Sequence, residues 1–279
     1  MQKNIAKLKA KLAKNPKNLD ALTELAQYMV DAKDYATAET YLKQIDQITI
    51  DNTEIKCFIG NVCYEQNKFE EAISWFSKTI ALDPFHLHAY SLLGYANQKI
   101  NNLPAAIFNF EKTLEFSTSN EKKHYIYNTL GIVYLDQQRV DQAIDCFNKA
   151  LEIDPNSEMV LMNLRSTLLQ LTNATMQARD FAAAKKYVLE ILRIDPSFSH
   201  AYVKLAEICL KENNADGAIN CAEIGLAINP NEIDAYLFAA EGYLQTNATE
   251  KARALYAIAL ERSPNNPQIT EKLAAIKLQ

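Results

Sequence analysis

The chain has 279 residues, of which 48% are hydrophobic, and a formal net charge of −5 at pH 7. Six lysines precede the first acidic residue, Asp20, so the rest of the chain is strongly acidic. Because nucleic-acid binding requires lysine and arginine to neutralise phosphates, we expect no nucleic-acid partner. No run approaches the roughly 18 apolar residues that span a bilayer, and no apolar segment follows the first lysines, so we also expect neither a membrane span nor a secretory signal.

Residues 2–14 are predicted to form a short amphipathic helix that ends at Asn15-Pro16. Ile5, Leu8 and Leu12 lie on one stripe of this helix, and the lysines lie opposite. We expect the helix to cover the apolar face of the element that follows it. A helix that binds a membrane surface or an anionic partner is the alternative interpretation.

From residue 19 onward, a pattern of helix, short turn and helix recurs about every 34 residues. It is clearest at residues 124–157, where apolar residues at helical spacing flank the polar run 136–139 and Asp154-Pro155 ends the second helix. Pro196, Pro230 and Pro264 repeat this stop at intervals of 34. Counting residue 124 as position 1, alanine occupies position 20 of every unit: Ala38, Ala72, Ala106, Ala143, Ala184, Ala218 and Ala252.

The small residues predict how each pair of helices packs. Gly131 and Ala143 fall where two antiparallel helices would approach most closely, and Tyr127, Tyr134 and Phe147 supply bulk around them. Glycine inside a helix costs about 0.5–1 kcal/mol relative to alanine. Its presence at this position therefore indicates that a larger side chain would clash with the facing helix.

Two insertions interrupt the period. Residues 121–123 precede the fourth unit, and the fifth unit is seven residues too long, with the excess in residues 171–181. Because this excess contains no glycine or proline, we expect longer helices there and not a loose loop. The predicted units are 19–52, 53–86, 87–120, 124–157, 158–198, 199–232 and 233–266, followed by a C-terminal capping helix at 267–279.

This pattern resembles the tetratricopeptide repeat (TPR), whose signature places an aromatic residue, Leu, Gly, Tyr, Ala, Phe, Ala and Pro at these positions. The unit at 124–157 fills all eight positions, with Tyr127 instead of the usual tryptophan. The resemblance covers nearly the whole chain. It implies an all-α fold, a right-handed α-solenoid (superhelix) of about seven helical hairpins with a capping helix at each end, forming one TPR domain over residues 1–279.

Residue types that would support catalysis do not occur at recognisable spacings. The six glycines form no phosphate loop, and no cysteine or serine has a histidine at a motif spacing. His86 and His88 are two residues apart and diverge on a helix. The five cysteines lack a CxxC spacing and fall within predicted helices, which favours reduced thiols and a cytoplasmic location. We therefore expect no enzyme activity, no cofactor and no metal.

The resemblance further implies that the first helix of each repeat lines a concave groove that binds an extended peptide or a helix. Positions 2, 5, 9 and 12 would face this groove, and in the middle repeats they are unusually apolar. Acidic residues occupy the same positions in the outer repeats, so we expect a protein or peptide partner with an apolar centre and basic flanks. The predicted partner-binding residues are Tyr95, Tyr125, Asn128, Ile132, Met159, Met162, Asn163, His200 and Lys204.

One branch of the resembling family holds a carboxylate at the C-terminus of its partner with lysine, asparagine and arginine side chains. Asn163, His200 and Lys204 partly match that set, but Asn128 and Ile132 stand where lysine and asparagine are needed. The clamp is therefore incomplete. The predicted function is a protein–protein interaction scaffold, adaptor or co-chaperone. The alternatives are a non-catalytic region of a larger enzyme, and self-association in which the groove receives the lysine-rich helix of another copy.

Overall fold

The computed structural model describes residues 2–277, which form helices connected by short turns and contain no strand. The helices are α1 (Gln2–Lys14), α2 (Leu19–Asp31), α3 (Tyr35–Ile48), α4 (Thr53–Glu65), α5 (Phe69–Leu82), α6 (Leu87–Lys99), α7 (Leu103–Phe116), α8 (Asn120–Asp136), α9 (Val140–Ile153), α10 (Glu158–Gln177), α11 (Phe181–Ile194), α12 (Ser199–Lys211), α13 (Ala215–Ile228), α14 (Ile233–Gln245), α15 (Thr249–Arg262) and α16 (Pro267–Lys277). The all-α class predicted from the sequence is confirmed. No helix in this range has the length and apolar character needed to cross a membrane.

The chain divides into two compact units, which we call the N-terminal unit, up to Val160, and the C-terminal unit, from Leu161. In the N-terminal unit, four hairpins (α2/α3, α4/α5, α6/α7 and α8/α9) pack in sequence, each against the next. Helix α1 packs on α2, where Leu8 is buried with Ala21 and Leu25. The apolar stripe of α1 is therefore covered as predicted.

In the C-terminal unit, the hairpins α12/α13 and α14/α15 pack against each other, and α11 packs on α12. Helix α16 closes this unit by packing on α15, with Ile269 and Ile276 buried beside Tyr256 and Ala259. First helices of successive hairpins also touch, since α12 contacts α14 here and α4 contacts α6 in the N-terminal unit. These contacts give each unit a face made of first helices, which we call the first-helix face.

Three glycines at position 8 make room for a phenylalanine at position 24. A Cβ atom built on Gly60 or Gly94 would lie 2.6 Å from the ring of Phe76 or Phe110, and on Gly131 it would come even closer to the ring of Phe147. Carbon atoms without a bond between them normally stay at least 3.5 Å apart. The predicted need for a small residue at Gly131 is therefore confirmed, and the crowding group is the Phe147 ring.

The insertions lengthen first helices. Residues 121–123 lie within α8, which has 17 residues, whereas α2, α4 and α6 have 13 each. Helix α10 has 20 residues, but α11 keeps the 14 residues typical of second helices. The expectation of longer helices at residues 171–181 is thus correct for α10 and wrong for α11, because α10 alone contains the seven added residues and the turn before α11 keeps the three residues of the other hairpin turns.

Candidate partner-binding site

The first-helix face of the N-terminal unit presents large apolar side chains. Tyr125 is 50% exposed, Met159 is 43% exposed and Ile132 is 37% exposed. Tyr125 and Ile132 lie seven residues apart on α8, so they share one face of that helix. Exposed apolar side chains of this size on one face commonly mark an interaction surface.

Contacts of the neighbouring residue His124 fix the position of Tyr125. The neighbouring His124 is buried, and its two ring nitrogens contact the carbonyl oxygen of Ala150 at 3.0 Å and the hydroxyl of Ser157 at 3.1 Å. The His124 ring meets the Tyr125 ring edge to face, with 5.4 Å between their centroids. These contacts hold α8 against the end of α9. They thereby fix the position of the helical turn that carries the exposed Tyr125 ring.

Two of the predicted partner-binding residues take part in packing. Tyr95 is half-buried and lies edge-on to the ring of Phe110, with 5.0 Å between centroids. Asn128 is only 5% exposed, because it shares a helical face with buried His124 and Gly131. The expectation that Asn128 faces a partner is therefore corrected: its side chain belongs to the interior of the N-terminal unit.

The remaining predicted residues belong to the C-terminal unit. Met162 is 59% exposed, and Asn163 is half-buried. His200 is half-buried with its ring edge-on to Phe198, 6.1 Å between centroids. The Lys204 ammonium lies 3.1 Å from the carboxylate of Glu207 on the same helix, so its charge is already paired. This pairing further weakens the partial match to a carboxylate clamp.

A cavity of about 270 Å³ opens on the first-helix face of the N-terminal unit, between α4 and the start of α6. Ile55, Phe58 and Cys57 supply its apolar wall, and Glu54 and His88 stand at its polar side. Burial raises the pKa of the Cys57 thiol to about 12 and lowers the pKa of His88. Both groups are therefore uncharged at neutral pH, and Glu54 carries the only charge among the residues named here.

Glu54, Cys57 and His88 lie at positions 2 and 5, which the sequence analysis assigned to the groove. It missed the larger apolar side chains of the wall, because Ile55 and Phe58 lie at positions 3 and 6. A second cavity, of about 520 Å³, lies within the C-terminal unit between the end of α10 and α12. Met176 and Arg179 form one side of it, and Glu207 and Lys211 form the other. The two additional turns of α10 therefore form a wall beside the first-helix face of that unit.

Among the described side chains, Glu39, Cys63 and Glu71 bring possible metal-ligand atoms within 4.8 Å of one another. The Glu39 carboxylate, however, already accepts hydrogen bonds from Lys68 at 2.9 Å and Gln66 at 2.8 Å. Burial raises the pKa of the Cys63 thiol to about 11, so it is protonated at neutral pH. Metal binding requires a thiolate, and this donor set suits an ion-pair network better than a metal centre.

Comparisons with known proteins agree with the hairpin pattern. Family models described as tetratricopeptide repeat match residues 124–157, and residues 169–233 together with 210–267, while a model described as TPR repeat matches residues 60–101. The solved C-terminal part of a TPR repeat-containing protein from Cytophaga hutchinsonii is 16% identical, with a TM-score of 0.57 over 90% of this chain and 98% of that one. This likeness concerns the fold.

Three relatives are similar in sequence. Anaphase-promoting complex subunit 3 of Schizosaccharomyces pombe is 25% identical over 73% of this chain and 29% of its own length. The Hsp70-Hsp90 organizing protein of Triticum aestivum is 25% identical over 59% of this chain and 30% of its own. Human protein O-mannosyl-transferase TMTC3 is 23% identical over 61% of this chain and 19% of its own. The chain thus spans less than a third of each relative.

The matched segments fall in both units and coincide with the helical hairpins. The structure repeats the sequence pattern from hairpin to hairpin. Glycine at position 8 lies against phenylalanine at position 24 in three hairpins, and the same turn joins the two helices. The chain belongs to the tetratricopeptide repeat family.

Proposed function

We propose that this chain is a protein–protein interaction scaffold or adaptor, in the manner of a co-chaperone, and that it binds a peptide or helix of its partner on the first-helix face of the N-terminal unit. The observation that carries the proposal is the exposure of Tyr125, Ile132 and Met159 on that face. The segment that binds there has an apolar centre and basic flanks, because acidic residues such as Asp20 and Glu54 occupy the groove positions of the outer repeats.

Apolar burial supplies most of the affinity in this proposal. Burying apolar surface contributes roughly 25 cal/mol per Å², from which the cost of association must be subtracted. Methionine adapts its shape to different partners, and tyrosine provides a large rigid ring, so Met159 and Tyr125 of the N-terminal unit suit a docking surface. Long-range attraction by the acidic residues mainly speeds encounter.

The names of two relatives support an adaptor role. One is a subunit of the anaphase-promoting complex and another is an Hsp70-Hsp90 organizing protein. Both names describe membership of an assembly. We carry over only this general role, in a cytoplasmic setting, to which the free cysteines among the described residues lend support.

The test is affinity purification from the source cell with matched variants. Tyr125→Ala removes an apolar ring from the first-helix face, whereas Leu189→Ala removes a similarly exposed apolar side chain (51%) from the second helix α11. We expect the bound proteins to be lost with Tyr125→Ala and kept with Leu189→Ala, while both variants melt like the wild type. Loss with Leu189→Ala alone would place the binding surface elsewhere and reject the proposal.

A second candidate is that the chain forms the non-catalytic TPR region of a larger enzyme. The similarity to protein O-mannosyl-transferase TMTC3, of which the matched part is 19%, favours this candidate. An immunoblot of source-cell extract with an antibody to these residues distinguishes the two. A band much larger than a 279-residue chain supports the enzyme candidate, and a band of that size opposes it.

Self-association is a third candidate, favoured by the exposed lysines of α1, namely Lys3, Lys7, Lys9 and Lys11. A double variant, Lys7→Glu with Lys11→Glu, reverses this charge without touching buried Leu8. Light scattering should then show a smaller particle than the wild type if α1 docks on another copy. An unchanged, monomeric mass for both proteins rejects self-association.

A further inference from the structure

The cavity of about 270 Å³ between α4 and the start of α6 has the size of a side-chain pocket. Ligand pockets in proteins usually have volumes on the order of 300–1,000 Å³. This cavity is slightly smaller, so it suits one side chain of a bound segment better than a separate small molecule. All its lining residues belong to the N-terminal unit, as do Tyr125 and Ile132 of the first-helix face.

Two large side chains of α4 make the wall of the cavity apolar. Ile55 and Phe58 are half-buried, and both line the cavity. They lie at positions 3 and 6 of the second hairpin. In each of the other six hairpins, alanine or a polar residue occupies at least one of these two positions. A hairpin can therefore form without large apolar residues at both positions, and the second hairpin has an apolar surface that the others lack.

Most polar groups at the cavity carry no charge at neutral pH. The Cys57 thiol keeps its proton because burial raises its pKa to about 12, and His88 is neutral because burial lowers its pKa. The Asn61 side chain is a neutral amide. The exception is Glu54, whose side chain is 84% exposed and lies at the rim. An apolar side chain in the cavity gives up no hydrogen bonds to water, whereas a charged one would lose part of its hydration.

The negative charge of Glu54 is not compensated by a cation. Its carboxylate lies 3.4 Å from Nε2 of His86, and Nδ1 of that ring accepts a hydrogen bond from the backbone N–H of Ala89 at 3.2 Å. A ring nitrogen that accepts a hydrogen bond carries no proton, so the His86 ring is neutral. No lysine or arginine within residues 2–277 forms an ion pair with Glu54. The rim of the cavity therefore attracts a positive charge.

We propose that this cavity binds one apolar side chain of the partner segment, such as leucine, isoleucine or methionine, and that a lysine or arginine near it in the segment pairs with Glu54. The proposal rests on the proposed function, since it identifies one apolar anchor and one basic flank of that segment. Replacing the anchor by alanine should weaken binding about tenfold, because most of its apolar surface would no longer be buried. Neutralising the basic residue should weaken binding only about threefold, because Glu54 is exposed to solvent.

The first experiment selects binders to the full-length protein from a displayed library of random 12-residue peptides. We expect the selected peptides to carry leucine, isoleucine or methionine at one fixed position and lysine or arginine near it. Selection on Phe58→Ala should favour phenylalanine or tryptophan at that position, because loss of the ring enlarges the cavity. Selection on Phe108→Ala should give the wild-type preference, because Phe108 is 56% exposed on the second helix α7, outside the cavity.

The second experiment uses titration calorimetry with one selected peptide and two analogues, one with alanine for the apolar anchor and one with norleucine for the basic residue. On the wild type, the alanine analogue should bind about tenfold and the norleucine analogue about threefold more weakly. On Glu54→Gln, the parent and norleucine peptides should bind almost equally. On Glu70→Gln, the difference should persist, because Glu70 occupies the first turn of α5 as Glu54 occupies the first turn of α4, but lies outside the cavity.

The outcomes separate the two proposals. Peptides that lose affinity with Tyr125→Ala but not with Phe58→Ala overturn the apolar pocket and leave the proposed function standing. An alanine analogue that binds the wild type as tightly as its parent also overturns the pocket, and this result holds even if Phe58→Ala does not fold. A norleucine analogue that is equally weakened on Glu54→Gln overturns the ion pair. A library that yields no binder overturns both proposals.

Discussion

The turn of each hairpin contains one residue with a positive φ. In residues 2–277 these are Lys33, Asn67, Asn101, Gln138, Arg179, Asn213 and Asn247, with φ between 57° and 60°. Backbone hydrogen bonds close the turn: in the fourth hairpin, Gln138 N donates to Leu135 O at 2.8 Å and Arg139 N donates to Tyr134 O at 2.9 Å. Asparagine tolerates this left-handed conformation, but other residues with a Cβ pay roughly 1–2 kcal/mol.

We therefore expect Gln138→Gly to raise the free energy of unfolding by about 1 kcal/mol. The adjacent Gln137, with φ −89°, is the matched control. Gln137→Gly should lower stability, because glycine there gains no relief of strain and increases the entropy of the unfolded chain. Urea denaturation of both variants measures the difference, and equal changes would contradict the role of backbone strain.

Glu39 joins two hairpins of the N-terminal unit. Its carboxylate lies 2.5 Å from the Lys43 ammonium on α3 and 2.9 Å from the Lys68 ammonium at the start of α5. Burial raises the pKa of this carboxyl, but hydrogen bonds from Lys43, Lys68 and Gln66 outweigh burial and lower the pKa from 4.5 to about 2. The folded protein therefore holds Glu39 charged at pH values where the unfolded chain would protonate it.

The lowered pKa predicts an acid-sensitive contribution to stability. Because the folded pKa lies below the unfolded one, the contribution is complete above about pH 4.5 and is lost as the pH falls towards 2. Between pH 5 and 2, the wild type should lose about 2 kcal/mol more than Glu39→Gln. Thermal unfolding over this range tests the prediction, and parallel stability curves for the two proteins would count against it.

At the scale of the helices, each of the first four hairpins balances the sizes of two facing residues, at positions 8 and 24. Gly131 pairs with Phe147 in the fourth hairpin, whereas the first hairpin has Ala26 and Leu42 at the same two positions. A larger residue on one helix thus accompanies a smaller one on the other. The last three hairpins do not follow this balance: the sixth has two small residues, Ala206 and Ala222, and in the seventh Ala240 faces Tyr256.

This balance predicts a non-additive pair of substitutions. Gly131→Ala alone should destabilise the protein by about 1–3 kcal/mol, because its Cβ overlaps the Phe147 ring. Phe147→Leu alone should also destabilise it, by leaving a cavity. The double variant should lose clearly less stability than the sum, since it recreates the pair of the first hairpin. Chemical denaturation measures all three, and strict additivity would show that these residues do not compensate each other.

The helical hairpins were predictable from the sequence because position 8, position 20 and the proline stop recur in nearly every repeat. The sequence could not predict which helix contains the insertion, since nothing in residues 171–181 indicates that α10 is longer by two turns and that α11 is not. The buried position of Asn128 depends on its helical neighbours His124 and Gly131. The burial of Tyr256 beside Ile269 and Ile276 requires the docking of α16, so periodicity alone could not reveal it.

At the scale of the whole molecule, positive charge is concentrated at one end of the sequence. Helix α1 carries five lysines and no acidic residue, and the first acidic residue is Asp20. The basic flanks that we propose for the partner segment should therefore be attracted to the later repeats and repelled from α1. Increasing salt weakens both effects, because the screening length falls from about 10 Å at 0.1 M to about 3 Å at 1 M.

The units of a repeat protein are stabilised mainly by their nearest neighbours, so the free energy of opening can differ along the chain. The longest helix, α10, departs from the 34-residue period and contains the boundary between the two units. We expect hydrogen exchange to report one level of protection for α2–α9 and another for α12–α15. In Gly131→Leu, protection should fall throughout α2–α9 and stay near the wild-type level in α12–α15. A uniform fall in both units would mean that the whole chain opens as one cooperative block.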